Sequence, residues 1–322
     1  MEKPGIFVYA VPGQRKALVE VARELDRRGF PFLYASHGSA PAIEPEASSE
    51  GVVRPYEGTA VWQDALTHAL ALGMATERIT LVTAIEVTYH RMPHEMAAIA
   101  NYINEICDGR FILGIGPGHS EILTPFQVTM EKPLAHMRRY VEEMRASVGS
   151  GPMPPLVFAA LRQKMVALAG ELADGVIWAN CCRSQLARSL SVVPAAKRER
   201  FIVGDVAPAY VSEDRDEALA AVRLALTNYM TLTNYQNYFI ECGYGDEVEQ
   251  ARAAIARDDH AAVAAAVSER MADDIGIYGT PADVRKRVAA FQEAGMNQLC
   301  LSTMFHSQDQ AKAIMRVAAA FD

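Results

Sequence analysis

Three short stretches of the 322-residue chain hold residue types that can do chemistry. The first is Gly114-Ile-Gly116-Pro-Gly118-His119. Glycines at this spacing let backbone N–H groups approach an anionic or planar ligand with no Cβ in the way; they also suit a tight strand-to-helix turn. The spacing is G-x-G-x-G in mid-chain, not the G-x-G-x-x-G of a first βαβ unit, so a Rossmann dinucleotide site is not expected. The second stretch is Ser36-His37-Gly38. Neutral imidazole relays protons near pH 7, which makes His37 and His119 candidate proton relays, with a polar loop histidine as the plainer reading of each. The third is Cys181-Cys182-Arg183-Ser184. Ser184 can cap a following helix whose N-terminal N–H groups suit a phosphate, and Arg183 can add charge-assisted hydrogen bonds. No base is visibly paired with the two thiols, so packing is their expected role. His90 and His94 are four apart, but Pro93 lies between them and no H-E-x-x-H occurs, so no metal site is expected.

The elements that must position these groups alternate along the chain. Short apolar runs at 5–10, 31–36, 79–85, 110–115, 156–161, 176–180, 200–211 and 298–303 are separated by helical periodicity. Eight β/α units close a barrel, and strands apolar on both faces fit a sheet with helices outside and packed side chains inside. The expectation is an α/β fold, a (β/α)8 TIM barrel forming one domain over 1–322, with a helical insertion at about 214–278 before the last β/α unit. An open doubly wound sheet is the competitor. Residues 39–60 read as a long loop and 61–72 as a helix. In a barrel the active groups sit at the C-terminal strand ends, which directs attention to 11–14, 36–40, 85–92, 115–120, 161–163, 179–184, 207–213 and 302–307. The aromatic segment around Tyr229, Tyr235, Tyr238, Phe239 and Tyr244 can cap that mouth or pack at a subunit interface.

Asp108-Gly-Arg110-Phe-Ile-Leu-Gly114-Ile-Gly116-Pro-Gly118 resembles the G-R-F-x-L-G-x-G-x-G signature of the bacterial-luciferase-like superfamily. So do Val82-Thr-Ala-Ile85 with Arg91-Met-Pro93, Pro155–Ala160 through Ala169–Gly175, and Gly279-Thr-Pro-Ala-Asp-Val284 through Gly295. These segments stand in family order and span nearly the whole chain. The resemblance implies a (β/α)8 barrel using the deazaflavin coenzyme F420, or alternatively FMN, and an oxidoreductase moving a hydride to or from a small organic substrate. Alternatives are an FMN-dependent monooxygenase and a barrel that binds a flavin-like ligand without catalysis. It further implies a non-prolyl cis peptide at Ala84-Ile85 behind the ring. Glu86 would meet cofactor or substrate at the ring edge, or else pair with Arg91. Gly114, Gly116, Gly118, Ala160, Ala179 and Asn180 would line the cofactor site, with Arg162, Arg183 and Ser184 anchoring its anionic tail. The family's second-strand Asp-His or Glu-His is replaced by Ser36-His37, and its Gly-Pro after the fifth strand by Leu161-Arg162. A homodimer is also implied.

Composition bounds the remaining classes. Half of the residues are hydrophobic and 22% are charged, enough for a large core. A formal net charge of −8 with no Lys/Arg-rich block argues against a nucleic-acid track. No apolar run approaches a membrane span, and the N-terminus does not read as a signal peptide, so a cytoplasmic protein is expected. Five cysteines without a C-x-x-C give neither a disulfide framework nor a zinc knuckle.

Overall fold

The computed structural model describes residues 2–40, 61–124, 127–147, 149, 151–303 and 309–322. Most of the expected 39–60 loop and the rim positions 304–307 therefore lie outside the described residues. Eight parallel strands, β1 (Gly5–Phe7), β2 (Phe32–Ala35), β3 (Thr80–Thr83), β4 (Phe111–Gly116), β5 (Leu156–Ala159), β6 (Gly175–Ala179), β7 (Ile202–Val211) and β8 (Gln298–Ser302), pair in chain order. The ring closes where Gly5 and Ile6 of β1 pair with Cys300 and Leu301 of β8. This is a (β/α)8 barrel. Its interior is packed: the Tyr34 hydroxyl on β2 reaches across to the Gln298 carbonyl on β8 at 3.0 Å.

Helix starts follow local chemistry. The second helix begins at Ala65, not at 61, because Asp64 caps it by accepting the Thr67 N–H. The β-forming Val61-Trp-Gln63 is instead a strand, antiparallel to Gly38–Ala40. The helix expected after Ser184 is broken into a 3₁₀ turn Arg183–Gln185, a helix Leu186–Leu190 and a 3₁₀ turn Ala195–Lys197. Pro194, lacking an N–H and restricting the residue before it, separates the last two. The 214–278 insertion holds five helices from Arg215 to Ile275, then a short strand Ile277–Gly279 beside the end of β7. Thr280 and Pro281 start the next helix as a reciprocal cap with Asp283 and a first-turn proline. No described helix is long and apolar enough to cross a membrane.

Candidate active site at the barrel mouth

The site is built on a bulge. Val82 of β3 pairs with Ile112 of β4, and Glu86 pairs with Ile115, so three residues (83–85) face two (113–114). This one-residue excess pushes the Ala84-Ile85 segment off the ladder, and the Ala84-Ile85 peptide bond is cis. Neighbouring strands hold the bulge: Ala84 N–H donates to the Ala35 carbonyl at 2.6 Å, and His37 N–H to the Ile85 carbonyl at 3.0 Å. On the other side, the Thr83 hydroxyl bonds both backbone groups of Gly114.

The glycines serve this bulge. Gly114 is enclosed, and a Cβ there would collide with the Thr83 carbonyl oxygen. A Cβ on Gly116 would stand 2.7 Å from the Ala159 methyl and 3.0 Å from the end of Ile85. Gly118 takes φ +69 in the turn that follows. Along β5, Ala159 is left partly exposed, while Ala160, the expected lining residue, is buried and its N–H donates to the Ile177 carbonyl. Ala84, Ile85, Ala159, Ala179 and Val206 thus remain partly open at the C-terminal ends of β3, β5, β6 and in β7. They form a lining of small and aliphatic side chains.

Beside this lining stands a polar network. Glu86 is fully buried; its Oε1 accepts from Arg91 Nε at 3.0 Å and lies 3.1 Å from His37 Nδ1. Arg91 also pairs with Asp64, so one guanidinium bridges two carboxylates. His37 Nε2 is 2.8 Å from His90 Nδ1. His37, Asp64 and Glu86 bring ligand-type atoms within 4.8 Å of one another, but Arg91 already supplies a positive charge between the carboxylates. Glu86 Oε2 and Asp205 Oδ2 are buried with no hydrogen-bond partner among the described residues, which marks them as acceptors for something else.

Asn180 ends β6 in a left-handed conformation, φ 64, and its side chain bonds the Tyr229 hydroxyl of the insertion. Asp205 on β7 accepts the Cys181 N–H at 3.1 Å, and burial pushes its carboxyl up to about 7. His119 follows the glycine turn; its Nδ1 is 3.1 Å from Asn234 Nδ2 and its ring meets Tyr235 edge-on at 5.7 Å. The insertion therefore touches the ends of both β4 and β6, as a cap would.

The proposed tail anchors are arranged less favourably. Arg162 is exposed and its Nε donates to Glu241 at 2.7 Å. Arg183 lies 5.8 Å above the Phe291 ring. The N–H and hydroxyl of Ser184 are both taken by the Asp274 carboxylate, at 2.8 and 2.7 Å, and the five-residue helix beyond has no side-chain cap. A carboxylate stands where a phosphate was expected. Sequence reasoning missed Asp64, Thr83 and Asp205 and weighed His90 only as a metal ligand. For Asp64 a signal exists, an Asp three residues before Thr67 at a helix start.

A luciferase-like monooxygenase family model matches residues 5–298. The chain belongs to the luciferase-like monooxygenase family. Among related proteins, this family member is 28% identical over 278 residues to a 5,10-methylenetetrahydromethanopterin reductase of Archaeoglobus fulgidus, covering 76% of this chain and 83% of that one. Its fold matches an F420-dependent secondary alcohol dehydrogenase, solved with an F420–acetone adduct, with a TM-score of 0.72 and 17% identity over the whole of both chains. It also matches the FMN-bound oxygenating constituent of 3,6-diketocamphane monooxygenase, a type II Baeyer–Villiger enzyme of Pseudomonas putida, with a TM-score of 0.64 and 14% identity over 97% and 94% of the two chains.

Proposed function

We propose that this oxidoreductase moves a hydride between coenzyme F420 and a small organic substrate. The observation that carries this reading is the protruding Ala84-Ile85 bulge, flanked by Gly116 and by the partly open Ala159 and Ala179. Such a surface suits the face of a planar tricyclic ring, and the buried amide of Asn180, which has a second N–H beyond the one on Tyr229, suits a polar ring edge. When bound, the deazaflavin supplies the hydride chemistry; the chain orients it, excludes water and provides a proton. Ala84, Ile85, Gly116, Ala179 and Asn180 would hold the ring. His37, backed by Glu86 and joined to His90, is the proton source, and His119 is held at the end of β4 by Asn234. Arg162 is the strand-end cation best exposed to meet an anionic tail. The higher structural likeness to an F420 enzyme than to an FMN enzyme supports the order.

An FMN-dependent monooxygenase is the second reading, favoured by the FMN-bound neighbour. Absorbance and fluorescence titrations of the purified chain with F420 and with FMN separate the two. Saturable F420 binding with weaker FMN binding is expected; tight FMN binding with none for F420 reverses the assignment. The exposed Met92, Tyr102 and Ile106 around one helix support a homodimer, which sedimentation would test.

A further inference from the structure

We infer that His37 and His90 form a single-proton pair, held by Glu86, that supplies the proton accompanying hydride transfer. The use of that proton rests on the oxidoreductase reading; the pair itself does not. Nε2 of His37 and Nδ1 of His90 are 2.8 Å apart, with ring centroids at 4.7 Å and planes tilted by 48°. A nitrogen–nitrogen gap of this length holds one hydrogen. With both rings neutral, one donates and the other accepts; one added proton gives an imidazolium–imidazole pair. A second would set N–H against N–H.

The surroundings decide where the charge rests. Glu86, fully buried, lies 3.1 Å from Nδ1 of His37 and favours positive charge on that ring. Behind it, Arg91 joins Glu86 to Asp64, and the Tyr140 hydroxyl donates to the Arg91 carbonyl at 3.0 Å. Among the described residues of this network, two carboxylates against one guanidinium leave a single negative charge, which one imidazolium balances. His90 is disfavoured as the carrier, because burial and then the neighbouring His37 charge lower its proton affinity. Glu86, Arg91, Asp64 and Tyr140 thus form a charged and titratable network linked to the pair.

The stoichiometry matches a hydride reaction. Adding a hydride to a carbonyl carbon leaves an oxygen that takes one proton. An N–H bond of the singly protonated pair breaks, the O–H bond forms, and both rings are left neutral. The shared hydrogen can cross the short gap, so the ring that gives up its proton is refilled by the other, and water restores the charge. Glu86 and His90 occupy the two nitrogens of His37, so the departing proton is the one on Nε2 of His90, and His37 is the positioning residue that refills it.

The test needs no cofactor or substrate. In full-length protein labelled with ¹⁵N-histidine, the imidazole nitrogens are followed by NMR against pH in wild type, His37→Asn, His90→Gln and Glu86→Gln. Wild type should show two coupled steps. Removing His37 should raise the His90 midpoint by on the order of one pH unit, and Glu86→Gln should lower the first step by a similar amount. His90→Gln, which keeps a hydrogen-bonding side chain, should leave His37 with one simple step. Independent titration, with each remaining histidine behaving as in wild type, overturns the pair. That result leaves the F420 reading standing, whereas failure to bind F420 leaves the pair standing.

Discussion

The Thr83 hydroxyl donates to the Gly114 carbonyl at 2.9 Å and accepts the Gly114 N–H at 2.8 Å. One side chain therefore replaces the ladder contacts that the bulge removes between β3 and β4. Thr83→Val keeps the shape and strands two buried backbone groups, which should cost about 1–3 kcal/mol for each. Thr83→Ser should recover most of it. Gly114→Ala should be worse than either, because its methyl meets backbone that cannot yield. Urea unfolding of the three variants checks the order; equal midpoints for Thr83→Val and wild type would show that the hydroxyl does not hold the bulge.

Glu86 depends on Arg91. Glu86 is fully buried, so Arg91→Met leaves its carboxylate without its cation and should destabilise by about 3–5 kcal/mol. Glu86→Gln in the same chain should return part of that loss. A double-mutant cycle with no coupling between positions 86 and 91 would contradict the assignment.

Two buried groups push the pH dependence in opposite directions. Burial lowers His68 from 6.5 to about 4, so the unfolded chain binds the extra proton and stability falls as pH drops from 6.5 towards 4. Burial raises Asp205 from 3.8 to about 7, so the folded chain binds the extra proton. Its contribution is full below 3.8 and is lost as pH rises through 7. Each pH unit of such a window is worth about 1.4 kcal/mol. Asp205→Asn should therefore gain stability relative to wild type as pH rises from 4 to 7, and should show a steeper rise between 4 and 6.5 where His68 acts unopposed. Parallel stability curves for the two proteins would remove Asp205 from the account.

The cofactor tail should separate Arg162 from Ser184. With Asp274 holding both the N–H and hydroxyl of Ser184, Ser184→Ala should leave F420 affinity within about twofold. Arg162→Ala should weaken intact F420 by roughly two- to fivefold and leave a tail-less deazaflavin riboside unaffected. Glu241→Gln, which frees Arg162 from its partner, should tighten F420 binding. Opposite ranking of Ser184→Ala and Arg162→Ala in a fluorescence titration would relocate the tail.

Most of the barrel was legible because each strand is a short apolar run and the segments between them carry helical periodicity. The glycine motif was legible as well, though its meaning shifted. Much of the family signature keeps the fold at the N-terminal face of the barrel. Arg110 donates to the carbonyls of Gly73, Thr76 and Ile79, and Asp174 accepts the Leu156 N–H at 2.8 Å. A Cβ on Gly175 would collide with Ile202. The His37–His90 contact was not legible. It joins residues 53 apart whose distance depends on how far β3 bulges, and periodicity carries no such information. Asp274 was hidden for the same reason, lying 90 residues beyond the Ser184 it occupies.

The bulge amounts to one surplus codon. Removing any one residue from 83–85 would leave Glu86 opposite Ile115 with an unbroken ladder, since the spacing on β3 would then equal that on β4. Every side chain beyond the bulge would keep its partner, while the protruding backbone at Ala84-Ile85 would be gone. An in-frame deletion of three nucleotides thus removes the protrusion without disturbing the register on either side of it. A lineage that lost the chemistry would carry that mark in its length rather than in its letters.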